Sequence, residues 1–199
     1  MLLDFEALAH GRAPVILGLG AALFGVDADG FAWAAPCPKA SAWPISTKGQ
    51  EARDLDHSTI GFWLAQPEVV REPVVRALGH GSRAGLVDLR AAILNAWQAA
   101  SEANVGEWWA KPAAYDLSLW WQLVREHVSA TVKVHGRLRD ARTLRDAAEL
   151  ATGVRVTEPD LQPKHDPGVD ALASACACAD ALALLIARRT TMNAAFDPE

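Results

Sequence analysis

Two acidic side chains lie close together near the start of the chain. Asp4 and Glu6 alternate with apolar residues in the segment 2–8, which we interpret as a β-strand. Residues two apart on a strand share one face of the sheet, so the two carboxylates would lie side by side. Burying such a pair is costly unless a cation or hydrogen-bond donors compensate. A divalent metal ion, which prefers oxygen ligands, would do so; the alternative is a solvated face at the sheet edge.

Three further residues are candidates for the same site. Asp116 lies near the start of a predicted helix, a place where ordinary helices also favour an acid. His165 precedes Asp170 by five residues in the segment 165–171, which reads His-Asp-Pro-Gly-Val-Asp-Ala. Taken alone, Asp170 could cap the helix that follows, and His165 could be an ordinary loop histidine.

The elements that must position these residues alternate between strands and helices. Strands are predicted at residues 2–8, 14–26, 31–35, 105–109 and 131–134. Helices are predicted at residues 60–64, 84–101, 117–128, 141–151 and 170–189. A turn at Asp27-Ala28-Asp29-Gly30 makes the second and third strands a hairpin, and residues 36–56, rich in proline, are expected to be an irregular connection. We therefore expect one α/β domain over residues 1–199, with a mixed five-stranded sheet flanked by helices.

The composition is that of a folded, acidic chain. Of its 199 residues, 51% are hydrophobic and 22% are charged, which is enough to bury a core and excludes global disorder. Lys and Arg number 19 against 24 Asp and Glu, so the formal net charge is −5. This balance argues against a protein that coats nucleic acid through bulk positive charge.

The cysteines and the apolar segments indicate in which cellular compartment the protein is expected. Cys37, Cys176 and Cys178 match no zinc-binding spacing, and we expect buried, reduced thiols in the cytoplasm. The most apolar stretch, residues 171–187, is divided by Asp180 and consists mostly of alanine. We expect it to be a buried helix that is too short and too weakly apolar to span a membrane.

Nucleotide-binding loops of the common kinds are missing from the sequence. Gly18 and Gly20 begin a G-x-G pattern, but position 23 is a leucine and a turn follows instead of a helix, which excludes the dinucleotide fingerprint. No G-x-x-x-x-G-K-[ST] segment occurs. The acids and the histidine are therefore the main candidates for chemistry.

Taken in order, these residues resemble the motifs of the DEDDh 3′–5′ exonucleases of the ribonuclease H-like superfamily. Leu3-Asp4-Phe5-Glu6 resembles the D-x-E strand, Tyr115-Asp116 the second motif, and His165-x4-Asp170 the third. More narrowly, the chain is similar to a small group that includes a mycobacterial exoribonuclease and phage DNA exonucleases. Segments 17–24, 58–66 and 140–144 add further matches, so that the resemblance spans residues 2–185.

This resemblance implies a ribonuclease H-like three-layer fold and a metal-dependent 3′–5′ exonuclease. Such an enzyme hydrolyses phosphodiester bonds from the 3′ end of single-stranded RNA or DNA and releases nucleoside 5′-monophosphates. By the same resemblance, Asp4, Glu6, Asp116 and Asp170 hold two Mg²⁺ or Mn²⁺ ions in a two-metal mechanism. His165 would then deprotonate the attacking water.

The resemblance also implies substrate contacts at Ala7, Leu8 and Arg142. Leu8 is expected either as an apolar wedge against a base or as a core residue. Arg142 is expected either to contact phosphate or to pair with Asp140, which we expect to cap a helix. The expected partner is a single-stranded nucleic acid with a free 3′ end, and we also expect a homodimer.

The acidic charge predicts how the substrate is held. Two bound divalent ions, which together carry +4, would bring the net charge from −5 to −1. The chain should therefore hold its substrate through the metal ions and a short 3′ segment, without a long basic groove. Arg71, Arg76 and Arg83 could guide a phosphate chain, or they could only solvate one face of the protein.

Two other functions are compatible with the same fold. One is a catalytically silent nucleic-acid-binding or assembly module, which the complete set of five residues argues against because a pure binder does not need buried acids. The other is a narrower enzyme, a nuclease specific for very short oligonucleotides.

Overall fold

A mixed six-stranded sheet lies at the centre of the fold. The computed structural model describes residues 1–11, 13–38, 40–79, 85–132 and 138–196. Its strands are β1 (Leu2–Ala7), β2 (Ile16–Val26), β3 (Ala32–Pro36), β4 (Ala42–Pro44), β5 (Trp108–Ala110) and β6 (Leu138–Asp140). The order is β3-β2-β1-β5-β6, with β4 paired to β2. Strands β1 to β4 pair antiparallel, whereas β5 and β6 run parallel to β1, which confirms the predicted fold class.

Helices cover both faces of this sheet. They are α1 (His57–Leu64), α2 (Glu68–Ala77), α3 (Leu89–Glu102), α4 (Ala113–His127), α5 (Ala141–Thr152) and α6 (Pro167–Phe196). Leu3 and Phe5 of β1 pack on one face against the apolar sides of α3 and α4. Leu2 packs on the other face against α5 and α6. The arrangement has three layers and is consistent with a ribonuclease H-like fold.

Two strands and one helix of the structure differ from the predicted elements. The expected irregular connection contains β4, whose Trp43 is buried. Helix α2 is not predicted, because Pro73 lies inside it and normally disfavours a helix interior. The last strand is β6 instead of residues 131–134: residues 131 and 132 follow a turn after α4, and residues 133 and 134 lie outside the described residues.

Helix α6 is longer than predicted. Its 30 residues extend about 45 Å, and the part Pro167–Asn193 is long and apolar enough to cross a membrane by length and composition alone. The expectation that this segment is too short and too weakly apolar is therefore wrong. Ala171, Ala175 and Cys178 are nevertheless fully buried in the core, so the first half of α6 is a core helix of the domain.

Two glycines of β2 allow the start of α6 to lie directly on the sheet. A Cβ atom at Gly20 would lie 1.8 Å from the carbonyl oxygen of Pro167, and a Cβ atom at Gly18 would lie 3.0 Å from its ring. In the β1–β2 register, Gly20 is the partner of Asp4 and Gly18 is the partner of Glu6. The close approach therefore places the N-terminus of α6 beside the two acids of β1.

Gly20→Ala should destabilise the protein by about 3 kcal/mol or more, because the backbone of Pro167 cannot move away as a flexible side chain would. Thermal or denaturant unfolding would measure this. Gly61→Ala is the matched control: Gly61 is exposed on α1, and a Cβ there meets nothing within 4 Å. That variant should be neutral or more stable. Equal stability of the two variants would contradict the packing argument.

Candidate metal centre

Asp4 and Glu6 lie on the face of β1 that α6 covers. Their neighbours Leu3 and Phe5 point to the opposite face, into the core below α3 and α4. Strand β1 is central in the sheet, between β2 and β5, so the alternative of a solvated sheet edge is excluded. Both acidic side chains keep part of their surface accessible, as a binding site at the end of a strand requires.

Asp116 comes from the first turn of α4 and is 3% exposed. The backbone N–H of Phe5 in β1 lowers the pKa of the Asp116 carboxyl, against the larger effect of burial. The start of α4 is held in turn by Asp140, whose Oδ2 accepts the Ala113 N–H at 3.1 Å. This hydrogen bond ties the start of α4, which carries Asp116, to the end of β6.

Asp170 and His165 are positioned by the capped start of α6. Asp166 Oδ1 accepts the N–H groups of Gly168 at 2.9 Å and Val169 at 3.1 Å, so Asp166, and not Asp170, caps the helix. Asp170 Oδ2 accepts the backbone N–H of His165 at 2.9 Å. His165 has a φ of 62°, in the left-handed region that is strained for residues other than glycine. Such strain is concentrated at functional sites.

The four carboxylates destabilise one another's charged forms. Burial, followed by the charges of Asp116 and Asp170, raises the pKa of Asp4 well above its usual range. Burial and the charges of Asp4, Asp170 and Asp116 do the same to the pKa of Glu6. Burial raises the pKa of Asp116 to about 7 and also raises the pKa of Asp170. The four acids therefore form one cluster in which burial outweighs the lowering effect of nearby positive charge on Asp4 and Asp170.

Three of the predicted residues lie within the distance of a shared ion. Glu6, His165 and Asp170 each offer one ligand atom, and these atoms lie within 4.8 Å of one another. We call them the carboxylate–histidine group. Asp4 and Asp116 are not members of the group, although their charges act on it. The chemistry of this donor set, oxygen ligands with one imidazole, fits a divalent cation.

One cation next to the acids is not apparent from the sequence. The charge of Lys111 lowers the pKa of Asp4, against the larger effect of burial. Its Nζ lies 2.6 and 2.5 Å from the two carboxylate oxygens of Glu158. Glu158 also accepts from Arg145 at 2.9 Å and from Ser174 at 3.0 Å. Because Lys111 is held by this second carboxylate, its single charge does not neutralise the cluster.

A pocket of about 440 Å³ opens beside the carboxylate–histidine group. Its aromatic walls come from His10, Phe62 and Tyr115, so we call it the aromatic pocket. The Tyr115 hydroxyl donates to the Ala9 carbonyl at 2.8 Å, and burial raises its pKa to about 12, so it stays a donor. Flat aromatic surfaces of this kind suit the face of a nucleobase.

The two substrate residues predicted next to Glu6 have different surroundings. Ala7 lines the aromatic pocket, and its carbonyl accepts the Trp63 indole N–H at 3.0 Å. Leu8 has no exposed surface and packs with Leu17 and Trp63 in a core cluster. The expectation that Leu8 contacts substrate as a wedge is therefore corrected in favour of the core interpretation, since a fully buried side chain cannot reach a base.

Arg142 lies away from the aromatic pocket. Its Nε is 3.6 Å from Asp140 Oδ1, and its side chain is 56% exposed. Asp140 caps α5 by accepting the N–H groups of Arg142 at 2.8 Å and Thr143 at 3.3 Å, as predicted. The arginine thus pairs with the cap, which favours its structural interpretation. Arg83, the third arginine considered as a phosphate guide, lies outside the described residues.

The metal-free protein should lose stability as the pH rises. Acids with raised pKa values hold protons in the folded state that the unfolded chain has released, so the free energy of unfolding falls from about pH 4 to above pH 7. Asp116→Asn removes one charge and keeps nearly the same side-chain shape. At pH 8 in EDTA, thermal unfolding should show this variant stabilised by about 2 kcal/mol.

At pH 4 the difference should almost vanish, because the folded acid is then protonated and the unfolded acid, with an ordinary pKa of about 3.9, is about half protonated. Asp146→Asn, at an exposed position of α5, is the control and should change little at either pH. A lower unfolding temperature for Asp116→Asn at pH 8 would show that the carboxylate is not strained in the metal-free fold.

A comparison with protein families agrees with the clustering of the four acids and His165. The model of the 3′–5′ exoribonuclease Rv2179c-like domain matches residues 1–183, a range that contains the whole sheet, the four acids and His165. No curated protein sequence matches the chain. The family model supports the nuclease chemistry that the ordered acids and the histidine imply. The chain therefore belongs to the Rv2179c-like family of 3′–5′ exoribonuclease domains.

Proposed function

We propose that this domain is a metal-dependent exonuclease that shortens single-stranded nucleic acid from its 3′ end and releases nucleoside 5′-monophosphates. The observation that carries the proposal is the carboxylate–histidine group of Glu6, His165 and Asp170 beside an aromatic pocket. Membership of an exoribonuclease family favours RNA as the substrate, although DNA with a free 3′ end has the same reacting bond.

The cofactors are proposed to be two Mg²⁺ or Mn²⁺ ions. Glu6 and Asp170 supply oxygen ligands at close range, and Asp4 and Asp116 supply two further carboxylates whose pKa values are raised by burial. Bound divalent ions would neutralise these acids and stabilise charge on the attacking and leaving oxygens. The net negative charge of the chain is then no obstacle to a phosphodiester substrate.

His165 is proposed to accept the proton of the attacking water. Imidazole is the side chain that most often serves as a general base. The His165 ring lies edge-on to Phe62 and Trp63, with centroid distances of 5.3 and 5.8 Å, and its backbone is fixed by Asp170. These contacts hold the imidazole at the boundary between the acids and the aromatic pocket.

The aromatic pocket is proposed to hold the terminal nucleoside. Phe62 and Tyr115 offer ring surfaces on opposite elements, α1 and α4, and base–aromatic stacking contributes about 1–3 kcal/mol per base without sequence preference. A nucleoside placed there has its 5′ phosphate next to the carboxylate–histidine group. This arrangement supports cleavage of the last phosphodiester bond of a strand.

Digestion of matched RNA and DNA oligomers labelled at the 5′ end tests this function. With Mg²⁺ or Mn²⁺, we expect products shortened stepwise from the 3′ end together with 5′-mononucleotides. Asp4→Ala should lower the rate at least about a hundredfold, because the acids hold the ions that stabilise the transition state. EDTA should abolish the reaction.

Asp146→Ala, which removes an exposed carboxylate on α5, should retain full activity and is the matched control. Absence of metal-dependent release, or equal rates for Asp4→Ala and the unsubstituted protein, would contradict the proposal. Tight oligonucleotide binding that EDTA does not change, without turnover, would favour the catalytically silent module instead.

A further inference from the structure

An ion pair lies at the carboxyl end of β5, the strand next to β1. Lys111 directly follows Ala110, the last residue of β5, and its Nζ lies within hydrogen-bond distance of both carboxylate oxygens of Glu158. The two side chains are 35% and 22% exposed, so water screens their charges only in part. We call them the lysine–glutamate pair.

The sheet places Lys111 at the level of Asp4. Strands β1 and β5 are parallel neighbours, and Leu2 is the register partner of Trp109. Two residues further along the two chain segments are Asp4 and Lys111, and residues two apart on a strand share one face. Leu2 and Trp109 both pack below α5 and α6. The register therefore brings Asp4 and Lys111 together on the face that these helices cover.

The pair presents its positive end to the acids. The charge of Lys111 lowers the pKa of Asp4, and the opposing charge of Glu158 raises the same pKa by less. The charge of Lys111 also lowers the pKa of Asp170. The acids of β1 and of α6 thus both lie in the field of one ammonium group, which its counter-charge does not cancel.

Glu158 is itself held by two helices. Its Oε1 accepts a hydrogen bond from Nη1 of Arg145 on α5 at 2.9 Å and from the hydroxyl of Ser174 on α6 at 3.0 Å. The Nε of Arg145 also donates to the carbonyl of Val156 at 3.3 Å, two residues before Glu158. A lysine side chain is flexible on its own, so a carboxylate that is anchored in this way keeps the Lys111 ammonium in one place.

We propose that Lys111 is a built-in counter-cation of the acid cluster, which limits the affinity of the four carboxylates for divalent ions, and that Glu158 positions it. This inference rests on the proposed function. A fixed positive charge beside the acids repels an incoming cation, and it repels a divalent ion more than the single proton that such an ion displaces. The ions therefore bind less tightly than four buried carboxylates alone would allow, which keeps the ions exchangeable.

Opposite charge changes at the two ends of the pair test the inference. Mn²⁺ is titrated calorimetrically into the metal-free protein at pH 8. Lys111→Met removes the repelling charge and should lower the dissociation constant about tenfold. Glu158→Gln leaves the ammonium without its counter-charge and should raise the dissociation constant about threefold. A merely structural role of the pair predicts weaker binding for both variants, because both break the same contact.

The ion pair of Arg139 and Glu107 provides matched controls. Its atoms lie 3.4 Å apart, and Glu107 precedes Trp108 at the opposite end of β5 from Lys111. Arg139→Met and Glu107→Gln make the same changes of net charge as the two test variants. Because they act far from the end of β1, they should change the dissociation constant less than about twofold.

Thermal unfolding in EDTA checks that every variant folds, and Lys111→Gln, which can still donate a hydrogen bond to Glu158, is a milder second test of the lost charge. It should also bind Mn²⁺ more tightly than the unsubstituted protein. A dissociation constant that is unchanged or higher in both Lys111 variants overturns the inference and leaves the nuclease function standing. An unsubstituted protein that neither binds Mn²⁺ nor releases nucleotides would overturn the proposed function itself.

Discussion

The crowding of four carboxylates at the end of β1 is the constraint on which the rest of the structure depends. Asp4, Glu6, Asp116 and Asp170 come from three elements that are distant in sequence; burial raises the pKa of all four, and the charges of the other acids raise those of Asp4 and Glu6 further. A fold selected only for stability would avoid such a cluster, because buried like charges cost several kcal/mol. The scaffold therefore has to hold the acids together until a cation offsets their repulsion.

Local contacts hold the elements that carry the acids in place. The glycines of β2 let α6 lie on the sheet, the Asp166 side chain caps that helix, and Asp140 joins the starts of α4 and α5. The Glu158 carboxylate binds Lys111, Arg145 and Ser174. It thereby ties the residue after β5 to both α5 and α6. None of these contacts uses the carboxylates of Asp4, Glu6 or Asp116. Those carboxylates therefore remain available to bind a ligand.

The sequence predicted the parts of the site that obey local rules. Alternation placed Asp4 and Glu6 on one face, and the order of predicted strands and helices indicated the α/β fold that the structure confirms. The sequence did not predict α2, because Pro73 interrupts the helix pattern. It also did not predict β4, whose three residues form a strand by pairing with β2. The sequence could not decide between the two roles expected for Leu8, because burial depends on distant residues such as Trp63. The Lys111–Glu158 pair spans 47 residues, and no local pattern shows it.

The central claim is that a divalent cation relieves the strain of the buried acids. Calorimetric titration of Mn²⁺ into the metal-free protein at pH 7, in buffers of different ionisation enthalpy, tests it directly. Because the acids hold protons at that pH, binding should release protons, and the measured heat should vary with the buffer. Asp116→Asn should reduce that release. Binding whose heat is independent of the buffer, or the absence of binding, would contradict the account.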